Sequence, residues 1–243
     1  MNTAEYFKWL GISEIIDRLM THTCQHCNRT FVKETSLTAH ICEQMRRYIG
    51  RHDVGVQIGL QAYIKFYELT QGAGKTKSWE QYAKSPYYQA FVKFGRYCQN
   101  IRAVSVPRFT EWLIKQNKKI DFWCKDSIYG EYLLDYLRVE CVSDALTRSI
   151  ETAQKWQEET DTPLRDYLRY GNDNALCYAI TTGKISAWVL YNCKSGTEFL
   201  SRINPEQVSI IWQFIDADVW GKKFKDYPKD TNYAKNILET AGW

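Results

Sequence analysis

Residues 24–42 read CQHCNRTFVKETSLTAHIC, and this stretch carries a pattern of metal ligands. Two residues separate Cys24 from Cys27, so one tight turn can present both thiolates to a single ion. His40 follows Cys27 after twelve residues, which is the spacing found in structural zinc sites. The sequence therefore predicts a zinc ion bound by Cys24, Cys27 and His40.

Phe31 and Leu37 lie between these ligands, and with them the segment resembles the two-Cys two-His zinc-finger family over roughly 25 residues. The resemblance implies a small ββα-like finger in which Phe31 and Leu37 form the core. The family places its fourth ligand four to six residues after the first histidine. This chain has no His or Cys in that window after His40.

Cys42 is the leading candidate for the fourth ligand, although it follows His40 by only two residues. Residues two apart on a regular helix point about 200° away from each other. Cys42 can therefore join the site only if the helix ends at His40 and the chain unwinds there. His52, His22, Glu43 and a water molecule remain alternatives.

The composition is that of a soluble globular protein, with 243 residues, 44% of them hydrophobic and 25% charged. No apolar run reaches the length of a membrane span, and Glu5 and Lys8 interrupt the first ten residues. We therefore expect a cytoplasmic protein without a signal peptide or membrane contact. The five cysteines after Cys42 are scattered, which favours buried free thiols in a reducing compartment.

The charge is distributed unevenly along the chain. Residues 18–52 carry +4 by count, residues 65–125 carry +8, and residues 126–243 carry −5. A basic first half is compatible with a polyanionic partner, although an asymmetry of this size is also found on ordinary solvated surfaces.

Helical patterns dominate the rest of the chain and predict a mainly α fold with a multi-helix body. Apolar residues recur at helical spacing in 4–19 and 54–69, and starts such as Val106-Pro107 and Asn204-Pro205 are frequent later. The predicted domains are residues 1–70 with an embedded finger at 21–47, a Gly/Lys joint at 71–78, and an all-helical domain at 79–243. The joint lacks the first glycine of a phosphate loop, so no nucleotide site is expected.

Several basic residues are candidates for nucleic-acid contacts. By the finger resemblance, Lys33, Ser36 and Ala39 occupy the base-reading positions, and this set reads bases poorly. Phosphate contacts are instead expected from arginines after the metal site and from one face of the helix in 87–100, where Tyr88 is a candidate for base stacking. The candidate nucleic-acid contacts are Lys33, Arg46, Arg47, Arg51, Lys93 and Arg96.

The finger with its His-x-Cys ending, followed by Arg46-Arg47 and the aromatic segment 85–95, also resembles zinc-finger proteins of large tailed bacteriophages. That resemblance implies a phage-encoded protein acting in the cytoplasm of a bacterial host. It implies no particular activity.

Catalysis has little support in the sequence, because all four histidines lie at or before position 52. Asp216 and Asp218 fit a helix cap better than a metal site. The sequence therefore favours a non-enzymatic, zinc-binding accessory protein. We expect it to contact the phosphate backbone of nucleic acid, with little sequence specificity, and to bind DNA rather than RNA. The alternative is an adaptor that binds a host or viral protein through the finger and aromatic surface.

Overall fold

The structure is a computed structural model that describes residues 21–72 and 77–243. Helices make up most of it, and the one sheet among these residues is a two-stranded hairpin near the amino terminus. The predicted fold class, a multi-helix body with one small ββα-like finger, is confirmed. The helix predicted at residues 4–19 lies outside the described residues.

The chain folds into two compact units, one ending at Asn100 and the other running from Ile101 to Trp243. The predicted joint at 71–78 lies within the first unit, because helices on either side of it pack against each other. In the described part of the chain, no helix is long and apolar enough to cross a membrane.

The first unit begins with an antiparallel hairpin of β1 (His22–Thr23) and β2 (Thr30–Phe31). Short helices follow it directly, and the two longer helices of the unit, Val54–Gln71 and Tyr88–Asn100, pack against each other. The helices of this unit are α1 (Glu34–Thr38), α2 (Glu43–Ile49), α3 (Val54–Gln71), α4 (Trp79–Lys84) and α5 (Tyr88–Asn100), with a 3₁₀ turn at Gly50–His52.

Glycines allow α3 and α5 to pack closely. A Cβ atom added at Gly95 of α5 would overlap the carbonyl oxygen of Gly55 in α3, and one added at Gly59 would lie 2.5 Å from the carbonyl oxygen of Phe91. Side chains other than hydrogen would force the two backbones apart. Asp53 caps the start of α3, since its side chain accepts a hydrogen bond from the Val56 amide.

The second unit is a helical body. Its helices are α6 (Val106–Lys115), α7 (Asp126–Leu137), α8 (Val142–Thr160), α9 (Tyr167–Tyr170), α10 (Asp173–Thr181), α11 (Ala187–Asn192), α12 (Lys194–Arg202), α13 (Pro205–Ile215), α14 (Ala217–Asp226) and α15 (Pro228–Thr240). Short 3₁₀ turns lie at Ile120–Phe122 and Leu164–Asp166.

Aromatic and aliphatic side chains fill the core of the second unit. Trp188 of α11 is almost fully buried, and its ring packs against Trp220 and Phe224 of α14 with centroids 5.9 and 5.1 Å away. Leu146 of α8 and Phe199 of α12 are buried in the same cluster. Burial of this much apolar surface stabilises the unit.

A buried ion pair lies where α7 leads into α8. Both carboxylate oxygens of Glu140 lie near the guanidinium of Arg148, with Nη1 2.8 Å from Oε2 and Nη2 2.9 Å from Oε1. The Glu140 side chain is fully buried. Burial raises the pKa of Glu140, and the hydrogen bond from Arg148 offsets part of that increase.

Candidate metal centre

The hairpin turn positions the first two cysteines. The Cys24 amide donates to the Arg29 carbonyl at 2.9 Å, and the Asn28 amide donates to the Cys24 carbonyl at 2.9 Å. Asn28 adopts a left-handed backbone conformation, with a φ of 59°, which closes the turn tightly. The turn that the Cys-x2-Cys spacing predicts is therefore present, and both thiols lie on the same side of it.

The histidine and the last cysteine come from a break between two helices. Helix α1 ends at Thr38, with Ala39 as its C-cap. Cys42 has extended backbone angles and is the N-cap of α2, where its Sγ accepts a hydrogen bond from the Met45 amide at 3.4 Å. The chain is therefore non-helical from His40 to Cys42, as a fourth ligand at Cys42 requires.

Four potential ligand atoms meet at this point, one each from Cys24, Cys27, His40 and Cys42, and all lie within 4.8 Å of one another. Cys24 Sγ is 3.9 Å from Cys42 Sγ, and Cys27 Sγ is 3.3 Å from His40 Nε2. Tetrahedral zinc with ordinary bond lengths would give about 3.8 Å between two sulfur ligands and about 3.6 Å between a sulfur and a nitrogen. The cluster therefore fits a four-coordinate metal ion.

The surroundings of the cluster favour metal binding over free thiols. Cys24 is buried, whereas the other three residues are half-buried. Backbone amides of Cys27 and His26 lower the pKa of the Cys24 thiol. The Arg29 amide lowers that of Cys27, but burial and the neighbouring thiols Cys24 and Cys42 outweigh it and raise the pKa. A divalent cation removes this repulsion between neighbouring thiolates.

The alternative fourth ligands are not part of the cluster. Among the described residues, His22, His52 and Glu43 contribute no atom to it. Glu43 forms an ion pair with Arg47 instead, with Oε1 3.1 Å from Nε.

The ring of Phe31, one of the two predicted core residues, packs on His40 with centroids 4.8 Å apart and so fixes the orientation of the imidazole.

The structure places the candidate base-reading residues on exposed positions. Lys33 is the N-cap residue of α1, Ser36 lies within α1, and Ala39 is its C-cap; all three are exposed. Arg46 is exposed on α2. Arg51 donates to the Tyr48 carbonyl at 2.9 Å, and its guanidinium lies 3.8 Å from the centre of the Tyr48 ring.

Arg47 is held by contacts within the first unit. Its side chain is only 16% exposed, and Nη1 donates to the Ala83 carbonyl at 2.6 Å. The guanidinium also lies 4.3 Å from the centre of the Tyr88 ring. These contacts join α2 to α4 and to the start of α5, which leaves little of Arg47 for a phosphate.

Helix α5 presents Lys93 and Arg96 on its exposed face. Arg96 pairs with Asp53, Nε to Oδ1 at 3.8 Å. The expectation that Tyr88 is exposed for base stacking is wrong: Tyr88 is 5% exposed and packs on Tyr82, whereas its neighbour Tyr87 is 53% exposed. Contacts with α4 determine which of the two tyrosines is buried, and the spacing of residues within one helix does not predict contacts with another helix.

The remaining sequence candidates have simple structural roles or lie outside the described residues. Asp216 caps α14, since its side chain accepts hydrogen bonds from the amides of Asp218 and Val219. Residues 73–76 of the Gly/Lys segment lie outside the described residues. Gln89 is exposed on α5, and its side-chain amide lies 3.4 Å from Glu43 of α2.

Together, the fold and the site define a mainly α protein with a Cys₃His centre that can hold a metal ion. No family model, curated protein or solved structure matches this chain.

Proposed function

We propose that the protein is a zinc-binding accessory factor that contacts nucleic acid mainly through the phosphate backbone. Three cysteines and one histidine are a donor set that zinc favours, and a closed set of four protein ligands is typical of a structural site. Zinc would fix the hairpin to α1 and to the start of α2. No open coordination position is left for catalysis.

The observation that supports the nucleic-acid proposal is a group of exposed cations without partners. Lys33, Arg46 and Lys93 are exposed, and among the described residues their side chains have no hydrogen bond or ion pair. They belong to the same compact unit as the metal centre. Unpaired lysines and arginines gain from releasing the counterions of a polyanion.

Contacts between elements support a continuous surface. Lys93 lies one turn from Gln89 and one turn from Arg96 on α5. Gln89 contacts Glu43 and Arg96 contacts Asp53, so the segment 43–53 that follows the metal site borders both ends of this face. Side chains of Lys93, Arg96 and segment 43–53 can therefore contact the phosphates of one nucleic-acid strand.

The base-reading positions support weak sequence preference. Ser36 does not discriminate between bases, and Ala39 can make only an apolar contact with a base edge. One finger spans only about three base pairs. DNA is favoured over RNA on the strength of the finger resemblance. The resemblance to phage finger proteins further supports a phage-encoded role in the cytoplasm of a bacterial host.

A fluorescence-anisotropy titration of the full chain tests this proposal. Duplex DNA, single-stranded DNA and RNA of two unrelated sequences would each be titrated at 50 and 200 mM salt, with metal content measured in the same samples. About four phosphate contacts predict an affinity loss of about 100-fold between the two salt concentrations. Absence of binding to all three at 50 mM salt would exclude the proposal.

Charge-neutralising variants locate the surface. Lys93→Gln and Arg46→Gln should each weaken binding to every sequence and reduce the salt slope by about one. Lys229→Gln and Lys235→Gln remove the same charge from exposed positions of the second unit and are matched controls. Equal losses in all four variants would indicate a general charge effect and not this surface.

A second candidate function is an adaptor that binds a host or viral protein. Ile41 lies between two of the candidate ligands, and Ile49 and Val54 follow them in the chain; all three are more than half exposed, and exposed apolar side chains of this kind occur at protein interfaces. A pull-down from nuclease-treated host extract tests it. A partner that is retained by the wild type and lost with Ile41→Ser and Ile49→Ser would favour the adaptor.

A further inference from the structure

The second unit contains a cavity of about 670 Å³ that neither the metal centre nor the proposed surface includes. One wall is α8, whose residues from Asp144 to Glu159 at helical spacing line it over about 22 Å. Arg102–Ser105, Tyr167 and Lys184 contribute to the other walls. A cavity of this volume suits a small-molecule ligand.

Lys184 is a half-buried cation of this cavity whose position is fixed by main-chain acceptors. Its ammonium donates to the carbonyl oxygens of Ile101 and Arg102, both at 3.1 Å. An ammonium has three donors, so one N–H is left without a protein acceptor among the described residues. Burial, and then the charges of Arg102, Lys155 and Arg148, lower the pKa of Lys184 to about 8.

The other cations differ in whether a carboxylate neutralises them. Arg148 is paired with Glu140. Arg102 and Lys155 are exposed, and the described residues provide neither with an ion pair. The cavity lining thus includes three cationic side chains, Arg102, Lys155 and Lys184, that pair with no carboxylate among the described residues.

The rest of the lining limits the kind of anion. Asp144, Glu151 and Glu159 also line the cavity, so a highly charged polyanion would be repelled along α8. These carboxylates can accept hydrogen bonds from hydroxyl or amino groups. Trp156 of α8 and Tyr167 of α9 both line the cavity and pack together with ring centroids 5.3 Å apart, which offers an apolar surface to a ring.

We propose that this cavity binds a phosphate monoester carried by a hydroxyl-bearing ring, with Lys184, Arg102 and Lys155 contacting the phosphate. A free mononucleotide and the terminal phosphate of an oligonucleotide both have this chemistry. The inference is independent of the function proposed for the first unit, since every residue that carries it lies between positions 101 and 184, within the second unit.

Isothermal titration calorimetry of the full chain with AMP and adenosine tests the proposal. AMP should bind at least tenfold more tightly than adenosine, because only AMP carries the monoester. A 5′-phosphorylated hexanucleotide and its 5′-hydroxyl counterpart distinguish the sources. A preference for the phosphorylated strand identifies a strand terminus as a ligand, whereas AMP binding without that preference identifies the free nucleotide.

Variants connect the binding to the named residues. Lys155→Gln and Arg102→Gln should each weaken AMP binding about tenfold, and Lys184→Met should weaken it more. Lys235→Gln, which removes an exposed charge from α15, should leave it unchanged. Lys184→Met uncovers two carbonyl groups, so the two exposed-residue variants decide the matter if it does not fold. Equal affinity for AMP and adenosine, or wild-type AMP binding by both Lys155→Gln and Arg102→Gln, would overturn the proposal.

Discussion

Residues 21–49, which contain the Cys₃His cluster, differ from the second unit in how much of their side-chain surface is buried. Among residues 21–49, all of which the structure describes, only Cys24 is buried. The second unit instead buries a continuous set of aromatic and aliphatic side chains from Val142 to Leu238. A hairpin and two short helices without an apolar core need another source of stability, and the Cys₃His cluster can supply it.

Removing the metal should therefore separate the two regions most clearly. Structural zinc contributes about 10 kcal/mol or more to the folding of small modules. Cys27→Ser, or treatment with a chelator, should abolish amide protection in residues 22–42 while α8 and α11 keep theirs. Hydrogen exchange read by mass spectrometry measures both regions at once.

Cys141→Ser is the matched control for this experiment, since Cys141 is an exposed thiol of the second unit. It should leave metal content and protection unchanged. Persistent protection of residues 22–42 in the chelated protein would show that the hairpin is stable without metal, and the comparison would fail.

The second unit should be most sensitive at its buried ion pair. Arg148→Met leaves the Glu140 carboxylate buried without its cation, which costs about 3 to 4 kcal/mol at pH 7.5. At pH 7.5 a carboxyl with an ordinary pKa of 4.5 can be protonated at a free-energy cost of about 1.4 kcal/mol for each pH unit above that pKa. This cost is the upper limit of the destabilisation, because the buried Glu140 can take up a proton instead of remaining charged. Urea denaturation monitored by circular dichroism measures the difference.

The pH dependence of this variant has a definite direction. The folded-state pKa of Glu140 is already raised, and it rises further without Arg148, so the folded state binds more protons than the unfolded state. The loss of stability relative to wild type should therefore shrink as the pH falls from 7.5 to 5. Glu140→Gln combined with Arg148→Met should show no such trend, and a single variant equally unstable at both pH values would contradict the assignment.

The first unit also depends on packing that does not involve the metal. Gly95→Ala should destabilise it by about 3 kcal/mol, because the added methyl overlaps the Gly55 carbonyl and forces α3 and α5 apart. Thermal unfolding of the metal-loaded protein measures the effect. Gly130→Ala on α7 is the control, since open space surrounds it and alanine should stabilise that helix by about 0.5–1 kcal/mol. Similar effects at both glycines would show that the close approach is unimportant.

The sequence predicted the parts of this structure that local chemistry determines. The Cys-x2-Cys spacing indicated the turn, and the geometry of residues two apart predicted that the chain unwinds between His40 and Cys42. Asn204 and Asp216 cap the helices that their positions indicated.

Features that depend on distant partners could not be predicted in this way. The approach of α3 to α5 depends on glycines 40 residues apart, such as Gly55 and Gly95. Tyr88 is buried because α4 packs on it. The cations of the cavity come from Arg102, Lys155 and Lys184, which no local pattern connects.

Arg47 gives the finest comparison, because the sequence predicts it as a nucleic-acid contact and the structure gives it internal partners. Arg47→Met removes a charged hydrogen bond to Ala83 and the stacking on Tyr88, and should cost about 2 kcal/mol. If Arg47 serves mainly to join α2 to α4 and α5, the salt slope of nucleic-acid binding should stay at its wild-type value. Arg46→Met changes the neighbouring exposed arginine and should do the reverse, with a slope reduced by about one and stability nearly unchanged. A reduced slope with unchanged stability for Arg47→Met would instead place Arg47 on the phosphate backbone, so the two measurements together decide its role.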